Sequence, residues 1–219
     1  MIRICPSILN ANFDDLPGEI EKVASTADLI HLDVMDNVFV PNFTFSPERT
    51  REIIAFSTLP IDVHLMVAEV DEKVSQYSSK NAVSMTVHFE ACQDPLQTLK
   101  NIRSLGKRAG LAIKPDTPIE VVEELLPAID MIVVMTVEPG FGGQSFMASM
   151  MPKVEKARRY LEQRKLNDVW LQIDGGISLS TIETARRAGA DTFVAGSAVY
   201  KSENPGSMVE QLRTLANNC

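Results

Sequence analysis

Short apolar runs rich in β-branched residues recur along the chain, and a longer stretch of helical character follows each of them. We count eight such runs in the 219 residues. The predicted strands cover Ile2–Cys5, Leu29–Val34, Ile61–Met66, Met85–His88, Leu111–Ile113, Met131–Met135, Val169–Ile173 and Thr192–Ala195. Because a helix follows each strand, we expect the strands to be parallel and to be joined by right-handed crossovers.

The predicted helices fall between these strands and after the last one. They cover 14–26, 47–57, 70–80, 94–105, 118–126, 147–164, 178–188 and 206–217. Pro47 and Pro118 stand where the first turn of a helix begins, and Gly189 ends the seventh helix. Eight βα units close naturally into a barrel, although a doubly wound open sheet has the same alternation. We therefore predict an α/β protein, a (β/α)8 TIM barrel, in which residues 1–219 form a single catalytic domain.

The charge balance narrows the classes of partner. The chain has 21 basic and 29 acidic residues and a formal net charge of −8, which argues against nucleic acid and against an anionic membrane surface. No apolar run reaches the roughly 18 residues that span a bilayer. A strand-like segment begins at Ile2, so we expect no signal or transit peptide. The 3 scattered cysteines predict no disulfide framework, and we expect a cytoplasmic protein with reduced thiols.

Polar residues stand where the second, third and seventh predicted strands end. This edge of a barrel carries the active site. Residues two apart share a face of a strand, so His31, Asp33 and Met35 lie together, while His64 and Asp174 end the other two strands. Two imidazoles and two carboxylates form a mixed set of ligands for a divalent transition metal. From these residues alone, ordinary polar loop chemistry explains the pattern about as well as a metal site does.

Glycine-rich turns follow three consecutive predicted strands. Gly140–Gly143 follows the sixth strand, Gly175 and Gly176 follow the seventh, and Gly196 and Ser197 follow the eighth. Backbone N–H groups in such turns can approach an anion closely, and barrels often bind phosphate after strands seven and eight. A single glycine pair is explained by a tight turn, whereas the three loops together indicate a phosphate site.

Five further residues have two interpretations each. Met35, Met66 and Met135 end three of the strands, either as core filler or as a dry floor beneath a bound intermediate. His88 closes the fourth strand, where a structural hydrogen bond explains it better than a role in the site. Lys114 follows the fifth strand, and we interpret it as a solvated rim residue rather than a Schiff-base nucleophile.

Segments along nearly the whole chain resemble the ribulose-phosphate 3-epimerase family. In chain order they are Pro6–Leu9 with Ala11 and Phe13, His31–Asp36, Phe39–Asn42, Asp62–Val67, Val87–Ala91, Val137–Gln144 and Asp174–Ile177. Together these segments are highly specific, although no single one is. The resemblance implies a barrel of the ribulose-phosphate-binding type and a protein that forms homo-oligomers.

The resemblance also implies a reaction and the residues that carry it. It implies reversible epimerisation at C3 of D-ribulose 5-phosphate to D-xylulose 5-phosphate, a step of the pentose phosphate pathway, with Asp33 and Asp174 as the two acid/bases. The implied ligands of one divalent ion (Fe2+, Zn2+, Mn2+ or Co2+) are His31, Asp33, His64 and Asp174. The implied substrate contacts are Ser7, His64, Gly140, Phe141, Gly142, Gly143, Asp174, Gly175, Gly176, Gly196 and Ser197, with Met35, Met66 and Met135 around the intermediate.

The chain departs from the family pattern in three loops. Asn37 and Ser46 stand where glycine is usual, and Ala68-Glu69 lacks a proline that is often found there. We expect these changes to alter loop shape rather than chemistry. Other functions stay open, namely a related enzyme such as D-allulose-6-phosphate 3-epimerase, a metal-free lyase or decarboxylase, and a non-catalytic sugar-phosphate sensor. The candidate lids are Phe39–Phe43 and Gly140–Ser145.

Overall fold

Eight parallel strands form the centre of the computed structural model, which describes residues 1–219. They are β1 (Arg3–Pro6), β2 (Ile30–Met35), β3 (Ile61–Met66), β4 (Ala82–His88), β5 (Arg108–Ile113), β6 (Met131–Met135), β7 (Trp170–Asp174) and β8 (Thr192–Ala195). The sheet order is β1-β8-β7-β6-β5-β4-β3-β2. Between β1 and β2 a parallel bridge joins Ser7 to His31 and closes the ring. The predicted (β/α)8 TIM barrel is confirmed.

Helices surround the strands. The α-helices are α1 (Leu16–Glu21), α2 (Pro47–Phe56), α3 (Pro95–Ser104), α4 (Met151–Gln163), α5 (Ile182–Arg187), α6 (Ser197–Tyr200) and α7 (Pro205–Asn217). The 3-10 helices are Ile8–Asn10, Phe13–Asp15, Val70–Glu72, Val74–Tyr77, Phe89–Ala91, Ile119–Ala128 and Ala148–Met150. None of these helices combines the length and the apolar character that a membrane crossing requires.

Two predicted helices differ from the structure in type. Residues 70–80 form two 3-10 turns on either side of Lys73, whose φ of −100° lies outside regular α-helical geometry. Of the predicted helix 118–126, Pro118 is an extended N-cap residue and the rest lies in the 3-10 helix Ile119–Ala128. This helix contains Pro127, which cannot donate to an i−4 carbonyl and crowds the preceding turn. Both segments still bury apolar side chains such as Val74 and Val122 against the barrel.

Several predicted boundaries also shift. The strands β4 and β5 begin at Ala82 and Arg108, each three residues before its predicted start. Arg108 and Ser84 carry polar side chains there, so the apolar pattern begins later than the backbone pairing. The helices α1 and α5 are shorter than predicted because turns occupy their flanks, and α6 adds a short helix that the sequence did not predict.

Alternate residues of each strand face different surroundings, and this alternation positions the site. On β2, Leu32 and Val34 belong to the main core of 52 buried residues, which also contains helix residues such as Ile53. His31 and Asp33, at alternating positions with these, make hydrogen bonds to polar side chains of β3 inside the barrel. The inner surface at the carboxyl ends of the strands is therefore free to carry polar chemistry.

Candidate active site and metal centre

Four side chains from β2, β3 and β7 meet inside the mouth of the barrel. Nε2 of His31 lies 3.3 Å from Oδ1 of Asp33 and 3.6 Å from Oδ2 of Asp174. Nδ1 of His64 lies 3.2 and 3.1 Å from the same two oxygens. All four residues are buried, and their ligand atoms lie within 4.8 Å of one another. The structure thus brings together the four residues that the sequence indicated.

This donor set fits one divalent transition metal. Ligand atoms at about 2.0–2.2 Å from one ion lie up to roughly 4.4 Å apart, which is close to the spread of the cluster. Carboxylates accept hydrogen bonds and carry charge, so burying Asp33 beside Asp174 requires compensating positive charge. Two imidazole nitrogens and two carboxylate oxygens can coordinate Fe2+, Zn2+, Mn2+ or Co2+, and the charge of the ion would compensate the two carboxylates.

The ionisation of the cluster follows from its ion pairs. Burial lowers the pKa of His31, but the charge of Asp33 and hydrogen bonds to Asp174 and Asp33 raise it well above its usual value. Burial and the same two carboxylates leave the pKa of His64 raised to about 8. Burial raises the pKa of Asp33 and of Asp174, and the two imidazoles nevertheless hold both below the usual value. In the metal-free protein both carboxylates are therefore ionised at neutral pH and present negative charge to a cation.

Asp62 fixes the ring of His31. Nδ1 of His31 lies 2.8 Å from Oδ2 of Asp62, and the other carboxylate oxygen accepts a hydrogen bond of 2.6 Å from the Ser84 hydroxyl. Nε2 of Gln172 donates to Asp62 at 3.0 Å. Because an ionised carboxylate only accepts, Nδ1 of His31 donates and Nε2 faces the cluster. Sequence reasoning missed Asp62, although its position two residues before His64 on one strand face was an available signal.

A pocket opens above the cluster at the barrel mouth. Fourteen predicted site residues line it: Ser7, Asp33, Met35, Met66, Met135, Gly140, Phe141, Gly142, Gly143, Asp174, Gly175, Gly176, Gly196 and Ser197. His31 and His64 do not line it, because both are fully buried beneath its floor. The Ser7 hydroxyl donates to Oδ2 of Asp33 at 2.5 Å, which turns this carboxylate toward the pocket.

Glycines leave the backbone accessible at one end of the pocket. A Cβ on Gly176 would lie 2.6 Å from the backbone nitrogen of Phe146, and the φ of Gly176 is +68°. A Cβ on Gly196 would lie 2.4 Å from Oδ1 of Asn10. At position 176 only glycine tolerates both the positive φ and the lack of space for a Cβ. Turns without side chains also let backbone N–H groups approach an anion closely. Asn10 lines the same pocket and was missed, since nothing but its nearness to Ser7 in the chain indicated it.

The other singled-out residues have defined places. His88 is fully buried, and its Nε2 lies 3.0 Å from Nε2 of His64, so its hydrogen bond is directed at the cluster. Nζ of Lys114 lies 4.0 Å from the centre of the Phe39 ring. Asn42 donates to the carbonyl of Gly140 at 2.9 Å and thereby joins the two candidate lid loops.

The departures from the family pattern are accommodated in the loops. Asn37 has a φ of 59°, the left-handed conformation that asparagine tolerates better than most residues. The Ser46 hydroxyl accepts a hydrogen bond of 3.2 Å from the Arg49 backbone and caps α2. Glu69 has a φ of 52° and precedes the first 3-10 turn after β3. None of the three residues lines the pocket.

Solved structures share the fold at low sequence identity. KGPDC from Streptococcus mutans superposes with a TM-score of 0.74 at 14% identity and covers 100% of this chain and 98% of that chain. For N-(5'-phosphoribosyl)anthranilate isomerase from Pyrococcus furiosus the TM-score is 0.65 at 17% identity, over 100% of both chains. At this identity the likeness shows the barrel alone.

Sequence relatives are considerably closer. Proteins named ribulose-phosphate 3-epimerase from Bacillus subtilis and Mycobacterium leprae are 38% and 42% identical to this chain, and each comparison covers 97% of it. The shares of those two proteins that are covered are 99% and 94%. A model of the ribulose-phosphate 3 epimerase family matches residues 3–200. The chain therefore belongs to the ribulose-phosphate 3-epimerase family.

Proposed function

We propose that this protein is an isomerase that interconverts D-ribulose 5-phosphate and D-xylulose 5-phosphate by reversible epimerisation at C3. The family membership supports the reaction, and one observation of the structure supports it most directly. Asp33 and Asp174 come from β2 and β7, and both are held by the same two buried imidazoles beneath one pocket. We propose that residues 1–219 act as one catalytic domain.

Two carboxylates suit an epimerisation because inversion requires a proton to leave one face of a carbon and another to arrive on the opposite face. In one direction, ionised Asp33 removes the proton from one face of C3, and Asp174, which has first taken up a proton from solvent, delivers that proton to the opposite face. In the reverse reaction Asp174 is the ionised base and Asp33 is the protonated acid. The lowered pKa of Asp33 keeps this carboxyl ionised when it acts as the base, and the lowered pKa of Asp174 does the same in the reverse direction. The hydrogen bond from Ser7 holds the orientation of Asp33.

We propose that His31, Asp33, His64 and Asp174 hold one divalent ion, Fe2+, Zn2+, Mn2+ or Co2+. When bound, such an ion supplies positive charge for the negative oxygens of an enediolate. The imidazoles hold both carboxylates at fixed positions below the substrate. Met35, Met66 and Met135 line the pocket and exclude water from the reacting carbon.

The glycine loops are proposed to bind the phosphate of the substrate. Gly140–Gly143, Gly175, Gly176, Gly196 and Ser197 all line the pocket, and their backbone N–H groups are the proposed donors to the phosphate. A protein of formal charge −8 needs such local donors to attract a dianion. The predicted contact of His64 with the substrate is indirect in this proposal, because His64 is buried below the pocket and acts through Asp33 and Asp174.

Epimerisation of D-ribulose 5-phosphate by the purified protein tests the proposal. The rate is measured before chelation, after chelation, and after each divalent metal is restored. Activity that falls on chelation and returns with metal supports the substrate and the metal site together. Full activity after thorough removal of metal would contradict the metal site and favour a metal-free mechanism.

Other outcomes identify the other functions. Faster turnover of D-allulose 6-phosphate than of the pentulose phosphate would assign the protein to hexulose phosphates. Binding of both sugar phosphates without turnover, at any metal, would indicate a sensor. The two carboxylates argue against a sensor, because binding alone has no use for an opposed pair of acid/bases.

A further inference from the structure

The two ligating histidines present different ring nitrogens to the cluster. His31 presents Nε2, whereas His64 presents Nδ1. A neutral imidazole has one lone pair and one N–H, so each ring must carry its hydrogen on the nitrogen that faces away. For His31 the acceptor is the Asp62 carboxylate. For His64 the outward nitrogen faces another histidine.

That histidine is His88, which stands between His64 and a carboxylate. Nε2 of His88 lies 3.0 Å from Nε2 of His64, and its Nδ1 lies 3.3 Å from Oε2 of Glu90. A carboxylate accepts, so Nδ1 of the neutral His88 ring donates to Glu90 and its Nε2 lone pair is left for His64. The hydrogen bonds thus run in one direction, from His64 through His88 to Glu90.

The surroundings leave this chain little freedom. His88 is fully buried, and its ring plane lies at only 21° to that of His64, which suits a hydrogen bond between the ring edges. The centre of the Phe39 ring lies 5.0 Å from the centre of the His88 ring. The second oxygen of Glu90 accepts a hydrogen bond of 2.8 Å from the backbone N–H of Lys114 and another from the Thr117 hydroxyl. The loop after β5 therefore anchors the carboxylate on which the chain ends.

We propose that His88 and Glu90 are positioning residues that fix the tautomer and ring orientation of His64, so that its Nδ1 lone pair is held ready for the metal. Acceptors of this kind commonly raise the affinity of a site by about 10–100-fold. The inference rests on the metal site proposed above. His88 and Glu90 would support the site although neither of them is a ligand.

Metal affinity of the protein, measured by competition with a chromophoric chelator, tests the proposal with Zn2+ and Co2+. His88→Leu removes the acceptor, and we expect roughly 10–100-fold weaker binding. His88→Gln retains an acceptor oxygen, so it should restore most of the affinity. Glu90→Gln should weaken binding to an intermediate extent, because the amide is a poorer acceptor than the carboxylate.

Thr86→Val is the matched control. Thr86 is buried on the same strand two residues before His88, and its hydroxyl has no hydrogen-bond partner. Thermal unfolding of the metal-free variants separates packing from positioning. If His88 only packs, its substitution by leucine would lower the thermal unfolding midpoint of the metal-free protein and leave the metal affinity unchanged. His88→Leu that binds both metals as tightly as Thr86→Val would overturn the proposal.

The zinc-loaded protein offers a test that needs no variant. Two-bond nitrogen–proton spectra of isotope-labelled histidines should show the hydrogen of His64 on Nε2 and that of His88 on Nδ1. A hydrogen on Nε2 of His88 would contradict the direction of the chain, even if His88→Leu does not fold. An unmodified protein that binds neither metal would instead remove the proposed metal site itself, so the two failures are distinguishable.

Discussion

The two ends of the barrel handle charge in opposite ways. At the carboxyl end, four ionisable residues are buried together, and Asp33 and Asp174 share the same two imidazoles. At the amino end, charged groups are partly exposed, and carboxylates such as those of Asp130 and Asp191 pair with arginine guanidinium groups. The Asp191 side chain, for example, is 18% exposed and lies 2.7 Å from Nη2 of Arg158.

The amino end is also reinforced by many separate contacts. Asp191 accepts hydrogen bonds from the Leu171 backbone and the Thr192 hydroxyl, and the guanidinium groups of Arg3 and Arg108 lie 4.0 and 4.1 Å from the Trp170 ring. Such contacts add stability without needing exact geometry. Charge is thus concentrated in one buried cluster at the carboxyl end and distributed over separate stabilising contacts at the amino end.

The largest effect should come from Asp174→Asn. The amide has the shape of the carboxylate but cannot accept a proton, so kcat/KM should fall by about 10³-fold or more, equivalent to roughly 4 kcal/mol. The thermal midpoint should change by only about 4 °C. Steady-state kinetics with both pentulose phosphates and thermal denaturation measure the two quantities. Substantial remaining turnover would refute the roles of the two carboxylates.

Metal affinity should depend on pH more strongly than any property of the amino end. The pKa of His64 is raised to about 8, and a metal must displace that proton. The affinity should therefore fall at least about tenfold for each pH unit below about 8. Chelator competition across the pH range measures the slope. A flat profile below that pH would show that His64 is not a ligand.

The stability of the metal-free protein should fall as pH rises above neutrality, whereas the metal affinity should rise. The raised pKa of His64 contributes stability that is complete below its usual value of 6.5 and is lost as pH rises through about 8. The lowered pKa values of Asp33 and Asp174 contribute stability above their usual value, which is lost as pH falls through their folded-state values. Denaturant unfolding should therefore place the maximum at mildly acidic pH, and bound metal should shift it upward.

Asp191→Asn should lower stability and leave kcat/KM nearly unchanged, whereas Asp174→Asn should mainly lower kcat/KM. It weakens charge-assisted hydrogen bonds at the amino end and should lower the free energy of unfolding by about 1–3 kcal/mol. Because the change is distant from the pocket, kcat/KM should stay within about twofold of the parent value. Urea denaturation and kinetics on the same preparation provide the check. A large kinetic defect with normal stability would undo the division between the two ends.

The smallest effect should come from Glu183→Ala on α5. Its carboxylate lies 3.1 Å from Nη2 of Arg187, but both side chains are largely exposed. An exposed pair of this kind contributes about 0.5 kcal/mol or less. The variant therefore serves as the baseline for Asp191→Asn. An equal loss of stability in both variants would mean that the contacts of Asp191 add nothing specific.

Much of the fold and of the site followed from the sequence because local signals marked them. Strand alternation located His31 and Asp33 on one face, and the ends of strands marked His64 and Asp174. Residues that support the ligands from a neighbouring strand were harder to find, although Asp62 shares a strand face with His64. The partner of Asp62 is 31 residues away in the chain, and that of His88 is 24 residues away. Contacts of this kind depend on barrel closure and register, which no short stretch of sequence encodes.

The seam of the barrel has a consequence for how the protein is made. The first strand pairs along its length with the last one, and its link to β2 is the bridge from Ser7 to His31. The same Ser7 holds Asp33 by its hydroxyl. During synthesis the first strand must therefore wait for residues 192–195 to emerge before it has a full neighbour. A chain cut short before β8 would leave β1 without its paired neighbour, and Ser7, at the end of β1, would lose the support that places its hydroxyl beside Asp33.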